Sequence, residues 1–291
     1  MTLYTAKVFS QEKYQLGESP FYDARTGLLS WVDITQGKFF TQADDGSRRE
    51  FDIGQALGAA LPAQKAGTYV ICGTDGLYLL DTLAEKPCLK LVQNLTSYFE
   101  SFQRCNDAKS DPVGRLWFGS SVNDDHEACG NLYCMDTLDG GKITVRQAET
   151  KISNGLAWSR DHKKFYFSDS LEHAVFSYDY DEESSQILNR QVLFTVDGPC
   201  VSDGMCIDDQ DNLWVAFWGG HRIEQRSTKD GSLLAKIDVD AENVTSCCFM
   251  GKEMNTLFIT TSGNGLNGQN DGRLFTCKVD AKGPDCDFCK L

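Results

Sequence analysis

Four side chains with oxygen donors share one register along the chain. Glu18, Asn106, Asn154 and Asp203 each stand five residues before a turn-forming residue, namely Asp23, Asp111, Ser159 and Asp208. Taken singly, each has an ordinary explanation, because Gly-Glu-Ser-Pro, Asn-Gly and Asp-Gly are common turn sequences. The shared register is what joins them. Brought to one point, two carboxylates and two amides form a set of hard oxygen donors. Glu18 and Asp203 would resist ionising together at close range, and a divalent cation between them would remove that conflict. Oxygen-only ligation suits Ca²⁺ first, then Mg²⁺ or Mn²⁺, with water completing the shell. His126, His162, His173 and His221 all fall outside the register, so a histidine-built zinc centre is not expected, although Zn²⁺ on oxygen ligands is compatible.

The elements that must position these residues repeat as well. The fullest copy is residues 200–220: a polar residue (Asp203), an apolar run, an Asp-rich turn, and an aromatic strand carrying Trp214 and Trp218. This is the signature of an antiparallel hairpin. Cognates surround Glu18, Asn106 and Asn154, and fainter ones lie near Ala59 and Thr245. From Glu18 through Asn106, Asn154 and Asp203 to Thr245 the intervals are 88, 48, 49 and 42 residues. The copy near Ala59 divides the first. Six copies at a period in the forties predict a six-bladed β-propeller of four-stranded antiparallel blades around a central channel, all-β and one domain over residues 1–291. Ala59 and Thr245 are then the expected fifth and sixth contributors to the centre. Residues 2–10 read as a strand that closes the last blade. Residues 54–60 could form one short helical turn, and residues 94–104 should lie at the channel mouth, where long connections shape pockets.

Composition narrows the function classes. A net charge of −14 argues against a nucleic-acid partner, which requires clustered Lys and Arg. The first residues lack a basic segment followed by an apolar core, and no run approaches the roughly 20 apolar residues of a membrane span. A cytoplasmic protein with no membrane partner is expected. Its twelve cysteines read as reduced thiols in strands. Cys286 and Cys289 form a lone CxxC without the second pair of a zinc site.

Four motifs in order, Gly-Glu18-Ser-Pro, Arg104-Cys-Asn106-Asp-Ala-Lys-Ser-Asp-Pro, Ser-Asn154-Gly-Leu-Ala-Trp and Ser-Asp203-Gly-Met, resemble the senescence marker protein, regucalcin, gluconolactonase and luciferin-regenerating enzyme family. The resemblance spans nearly the whole chain. It implies a propeller holding one divalent metal through Glu18, Asn154 and Asp203, with substrate contacts from Arg104 and Asn106 and an acid/base role for Asp203. A further acidic substrate contact falls nearest Asp124, with Asn123 as its alternative. Where the family has Asn-Asp-Gly-Lys, this chain has Ala108 in place of the glycine. The implied activity is hydrolysis of a sugar (aldono-) lactone to the sugar acid, with the metal polarising the carbonyl and Asp203 either taking the proton of the attacking water or only positioning the nucleophile. A non-enzymatic calcium-binding protein and a metal-dependent organophosphatase or aryl esterase are the alternatives.

Overall fold

The computed structural model describes residues 1–122, 126–138 and 140–290. Six sheets follow one another along the chain as the blades of a six-bladed β-propeller. Blades 1 to 6 span residues 17–52, 57–94, 103–150, 153–195, 201–238 and 243–278. In each, the first strand is innermost and its successors pair antiparallel outward.

The hydrophobic core is divided among the seams. Six clusters of buried apolar side chains each lie between two neighbouring blades. Between blades 6 and 1, for example, Trp31, Tyr22 and Phe40 meet Cys248, Phe258 and Leu274. Burial therefore depends on adjacent blades closing on each other, as expected for a ring.

The turn residues that mark the register explain its constancy. Asp208, wholly buried, accepts from the amides of Gln210 and Asn212 with Oδ1 and from Trp214 Nε1 and Gln225 Nε2 with Oδ2. Asp111 does the same for Val113, Arg115, Trp117 Nε1 and the Tyr180 hydroxyl. Asp23 and Ser159 close the corresponding turns of blades 1 and 4 through the amides of Arg25 and of Lys163 and Lys164. Each fixes the hairpin between the first two strands, and so the distance from the turn to the inward-facing residue.

The N-terminal segment departs from expectation in part. Lys7–Ser10 pairs with Leu274–Lys278 as the outer strand of blade 6, which is the closure foreseen. Thr2–Thr5 instead pairs in parallel with Leu233–Asp238 and makes blade 5 five-stranded. Residues 54–55 form a bend, and Leu57–Pro62 is already a strand; the two glycines at 54 and 58 disfavour a helical turn. Asn94 ends a strand, and residues 96–99 make a turn that buries Leu95 and Phe99 under blade 3. Among the described residues the cysteines form no disulfide.

Candidate active site

Every inner strand breaks register with its neighbour at the same height. The irregularity falls between Glu18 and Phe21, Leu57 and Ala59, Cys105 and Ala108, Asn154 and Leu156, Ser202 and Met205, and Val244 and Ser246. A bulge of this kind adds a residue to one strand and re-aims its side chain. Six such bulges around one axis turn their residues toward the channel. In blade 1 the device is visible in the backbone: Ser19 takes the left-handed conformation, φ 48°, and its amide donates to the preceding Glu18 Oε2 at 2.6 Å. Its hydroxyl accepts from the amide of Ala60 at 3.1 Å, tying blade 1 to blade 2.

Glu18, Arg104, Asn106, Asn154 and Asp203 line one cavity of about 430 Å³. Asp107, Ser121 and Ser170 line it too. The amides form a chain: Arg104 Nη1 donates to Asn106 Oδ1 at 2.6 Å, Asn106 Nδ2 to Asn154 Oδ1 at 2.9 Å, and Asn154 Nδ2 to Ser170 Oγ at 2.9 Å. Ser170 Oγ in turn donates to the carbonyl of Ser202 at 2.7 Å, beside Asp203. Blades 3, 4 and 5 are thus linked at the level of the site.

The electrostatics are unfavourable as they stand. Glu18 and Asp203 are 6% and 7% exposed. Burial, followed by the charges of Asp203 and Asp107, holds Glu18 well above the usual carboxylate range. Burial and then Asp107 do the same for Asp203. Neither carboxylate forms an ion pair with a described residue. Burial lowers Arg104 from its ordinary value, against the pull of Glu18 and Asp203. Asp107 is raised by burial, with the Lys109 charge acting in the opposite sense. No three His, Cys, Asp or Glu side chains among the described residues stand close enough together to hold a metal ion; the available set is two carboxylates and the Asn154 amide oxygen. Two buried carboxylates with no ion pair to a described residue, with the Arg104 charge acting on both and an amide oxygen beside them, fit a hard divalent cation.

Several expectations change. The fifth contributor, expected at about Ala59, is Gly58, which lines the cavity, because the bulge in blade 2 falls between Leu57 and Ala59. A Cβ there would meet the carbonyl oxygens of Asn106 and Cys105 at 2.1 and 2.3 Å, so this blade contributes space. Thr245 lies at the sixth bulge, but its hydroxyl donates to the carbonyl of Gly17 at 2.6 Å and braces the seam. Asp107, not among the expected site residues, shares the blade 3 bulge with Asn106, and that shared bulge is why both reach the cavity. Asp169, by contrast, braces the approach to blade 4, accepting from the amides of Lys151 and Ile152. Asp124 and its alternative Asn123 lie outside the described residues.

The same plan recurs in known proteins. Residues 16–263 match the family described as SMP-30/Gluconolactonase/LRE-like region. The chain belongs to this family. Regucalcin of Gallus gallus is 32% identical over 264 residues, covering 88% of this chain and 86% of that protein. The Bacillus subtilis protein named "Putative sugar lactone lactonase YvrE" is 29% identical over 276 residues, covering 92% of each. Among solved structures, a luciferin-regenerating enzyme superposes with a TM-score of 0.92 at 28% identity, covering 99% of both chains. The names of these relatives thus include regucalcin, a putative lactonase and a luciferin-regenerating enzyme. No helix among the described residues is long and apolar enough to cross a membrane.

Proposed function

We propose that this chain is a metal-dependent lactonase that opens a cyclic ester, of the sugar lactone class to which the names of its relatives point, to the hydroxy acid. The observation that carries the proposal is the meeting of Glu18, Asn154 and Asp203 from three blades beside the Arg104 to Asn106 pair in one cavity. Glu18, Asn154 and Asp203 would hold one divalent ion, Ca²⁺ first by its preference for oxygen. When bound, the ion supplies Lewis-acid polarisation of the lactone carbonyl.

The remaining work falls to the chain's own groups. Arg104 donates from its guanidinium fork to the carbonyl or to ring hydroxyls, and Asn106 fixes the direction of that fork. Asp203 accepts a proton at its carboxylate from the attacking water. The water oxygen bonds to the carbonyl carbon, the bond from that carbon to the ring oxygen breaks, and the proton returns to the departing ring oxygen. The apolar part of the cavity lining limits how much other water can reach the ester.

The test is proton release on a panel of aldono-lactones, using protein stripped of metal and re-supplied with Ca²⁺, Mg²⁺, Mn²⁺ or Zn²⁺. Hydrolysis restored by metal above the spontaneous rate supports the proposal. Absence of hydrolysis with every ion would replace it with a cation-binding protein or an esterase of another substrate class.

A further inference from the structure

The residues two positions before each candidate ligand carry information of a different kind. Two before Asn106 stands Arg104; two before Glu18, Asn154 and Asp203 stand Leu16, Ile152 and Val201. Val201 and Arg104 lie in the inner strands, and Leu16 and Ile152 immediately precede theirs. All four line the cavity, and Ile34, Leu171 and Trp218 join them there. Leu16, Ile152, Val201 and Trp218 are half-buried, and Leu171 is 40% exposed. One guanidinium therefore shares its tier with hydrocarbon from three of the blades.

Among the described residues, part of the polar lining of the cavity is already engaged within the protein. Both Asn106 donors are committed, to Ser153 O and Asn154 Oδ1, and Ser170 Oγ is engaged by Asn154 and Ser202. A ring whose substituent bears many hydroxyls would lose hydration against leucine, isoleucine, valine and tryptophan without matching partners. A hydrocarbon substituent would gain from the same surface.

Resting on the lactonase assignment, we infer that the preferred substrate is a lactone whose ring carries an alkyl substituent, with its ester held over the tier of Glu18, Asn154 and Asp203 and its alkyl group against Leu16, Ile152 and Val201. This separates the chain from a specialist for fully hydroxylated aldono-lactones.

The experiment measures kcat/KM for γ-butyrolactone and its 4-alkyl derivatives from methyl to heptyl, beside D-glucono-1,5-lactone, with the most effective divalent ion present. Full burial of one methylene is worth about fourfold. The expected series rises at least about tenfold from methyl to pentyl and exceeds glucono-lactone. The double variant Ile152→Ser, Val201→Ser should lose most of that slope, with circular dichroism confirming a folded ring. Binding of 4-alkyl γ-lactams by calorimetry should follow the same chain-length order. A flat series together with active glucono-lactone hydrolysis overturns the inference and leaves the lactonase proposal standing. Hydrolysis of no lactone, with any ion, overturns both.

Discussion

Asn106 and Asn154, from neighbouring blades, are joined side by side, with Asn106 Nδ2 donating to Asn154 Oδ1 at 2.9 Å. The bond fixes the Asn154 amide so that its oxygen keeps one lone pair free, while its nitrogen is engaged by Ser170. Asn106 thus orients a candidate ligand as well as the guanidinium of Arg104. Asn106→Ala should weaken cation binding and kcat/KM together, each by roughly 10- to 100-fold as for other groups that orient ligands. Calorimetric titration with Ca²⁺ alongside steady-state kinetics checks this. A fall in kcat/KM with unchanged cation affinity would confine Asn106 to the substrate.

Asp203→Ala should reduce lactone turnover by about 10²- to 10⁴-fold, the usual worth of a positioned acid/base group, while circular dichroism shows an intact ring. Activity equal to that of the unaltered protein would refute the proposed site.

The buried carboxylates should also show themselves in the pH dependence of stability. Free in an unfolded chain, Glu and Asp titrate near pH 4 (about 4.3 and 3.9). Burial first, and negative neighbours second, raise both Glu18 and Asp203 in the folded state. Above about pH 4 the folded state therefore holds more protons than the unfolded one, and stability falls as pH rises through the raised values. Chelated protein should lose melting temperature toward neutral pH, and Glu18→Gln should lose less. Added Ca²⁺ should restore most at the higher pH, where the carboxylates bind it ionised. A chelated protein that gained stability relative to Glu18→Gln across this window would contradict the assigned burial.

Gly58→Ala places a methyl group against the carbonyl oxygens of Asn106 and Cys105. Those atoms belong to the blade 3 bulge and have little room to yield. A destabilisation of about 1–3 kcal/mol is expected, as for overpacking elsewhere, measured by urea denaturation. A neutral outcome would mean that blades 2 and 3 separate readily at this height.

Asp208→Ala removes the acceptor of five donors, the Gln210 and Asn212 backbone amides, Asn212 Nδ2, Trp214 Nε1 and Gln225 Nε2. Leaving buried donors unpaired costs about 1–3 kcal/mol each where water cannot reach them. Loss of about 3 kcal/mol overall is expected in the same denaturation assay, and a loss below about 1 kcal/mol would show that the turn is held by other contacts.

The ring and its four central side chains were legible because Asp23, Asp111, Ser159 and Asp208 fix the hairpin geometry locally, through bonds to amides only two to five residues away. Local rules write themselves into spacing. Gly58 was missed because the faint copy in blade 2 shows no polar residue at the point where its bulge resets the register. Asp107 was missed because alternation sends adjacent residues to opposite faces, and only a bulge brings both to one side. The division of residues 2–10 between two blades has no local signature at all, since parallel pairing with residues 233–238 is decided by which sheet edge is within reach.

That division bears on how the molecule comes into being. Glu18, Arg104, Asn106, Asn154 and Asp203 have all left the ribosome well before Leu274–Lys278, the strand that receives Lys7–Ser10. Domains fold as their chains emerge, yet blade 6 lacks its outer strand until Lys7–Ser10 meets Leu274–Lys278. Residues 2–10 must wait until their partners at 233–238 and 274–278 have been made. By engaging blade 5 through Thr2–Thr5, they can dock on a finished sheet one step early and be held next to the place where the seam will shut.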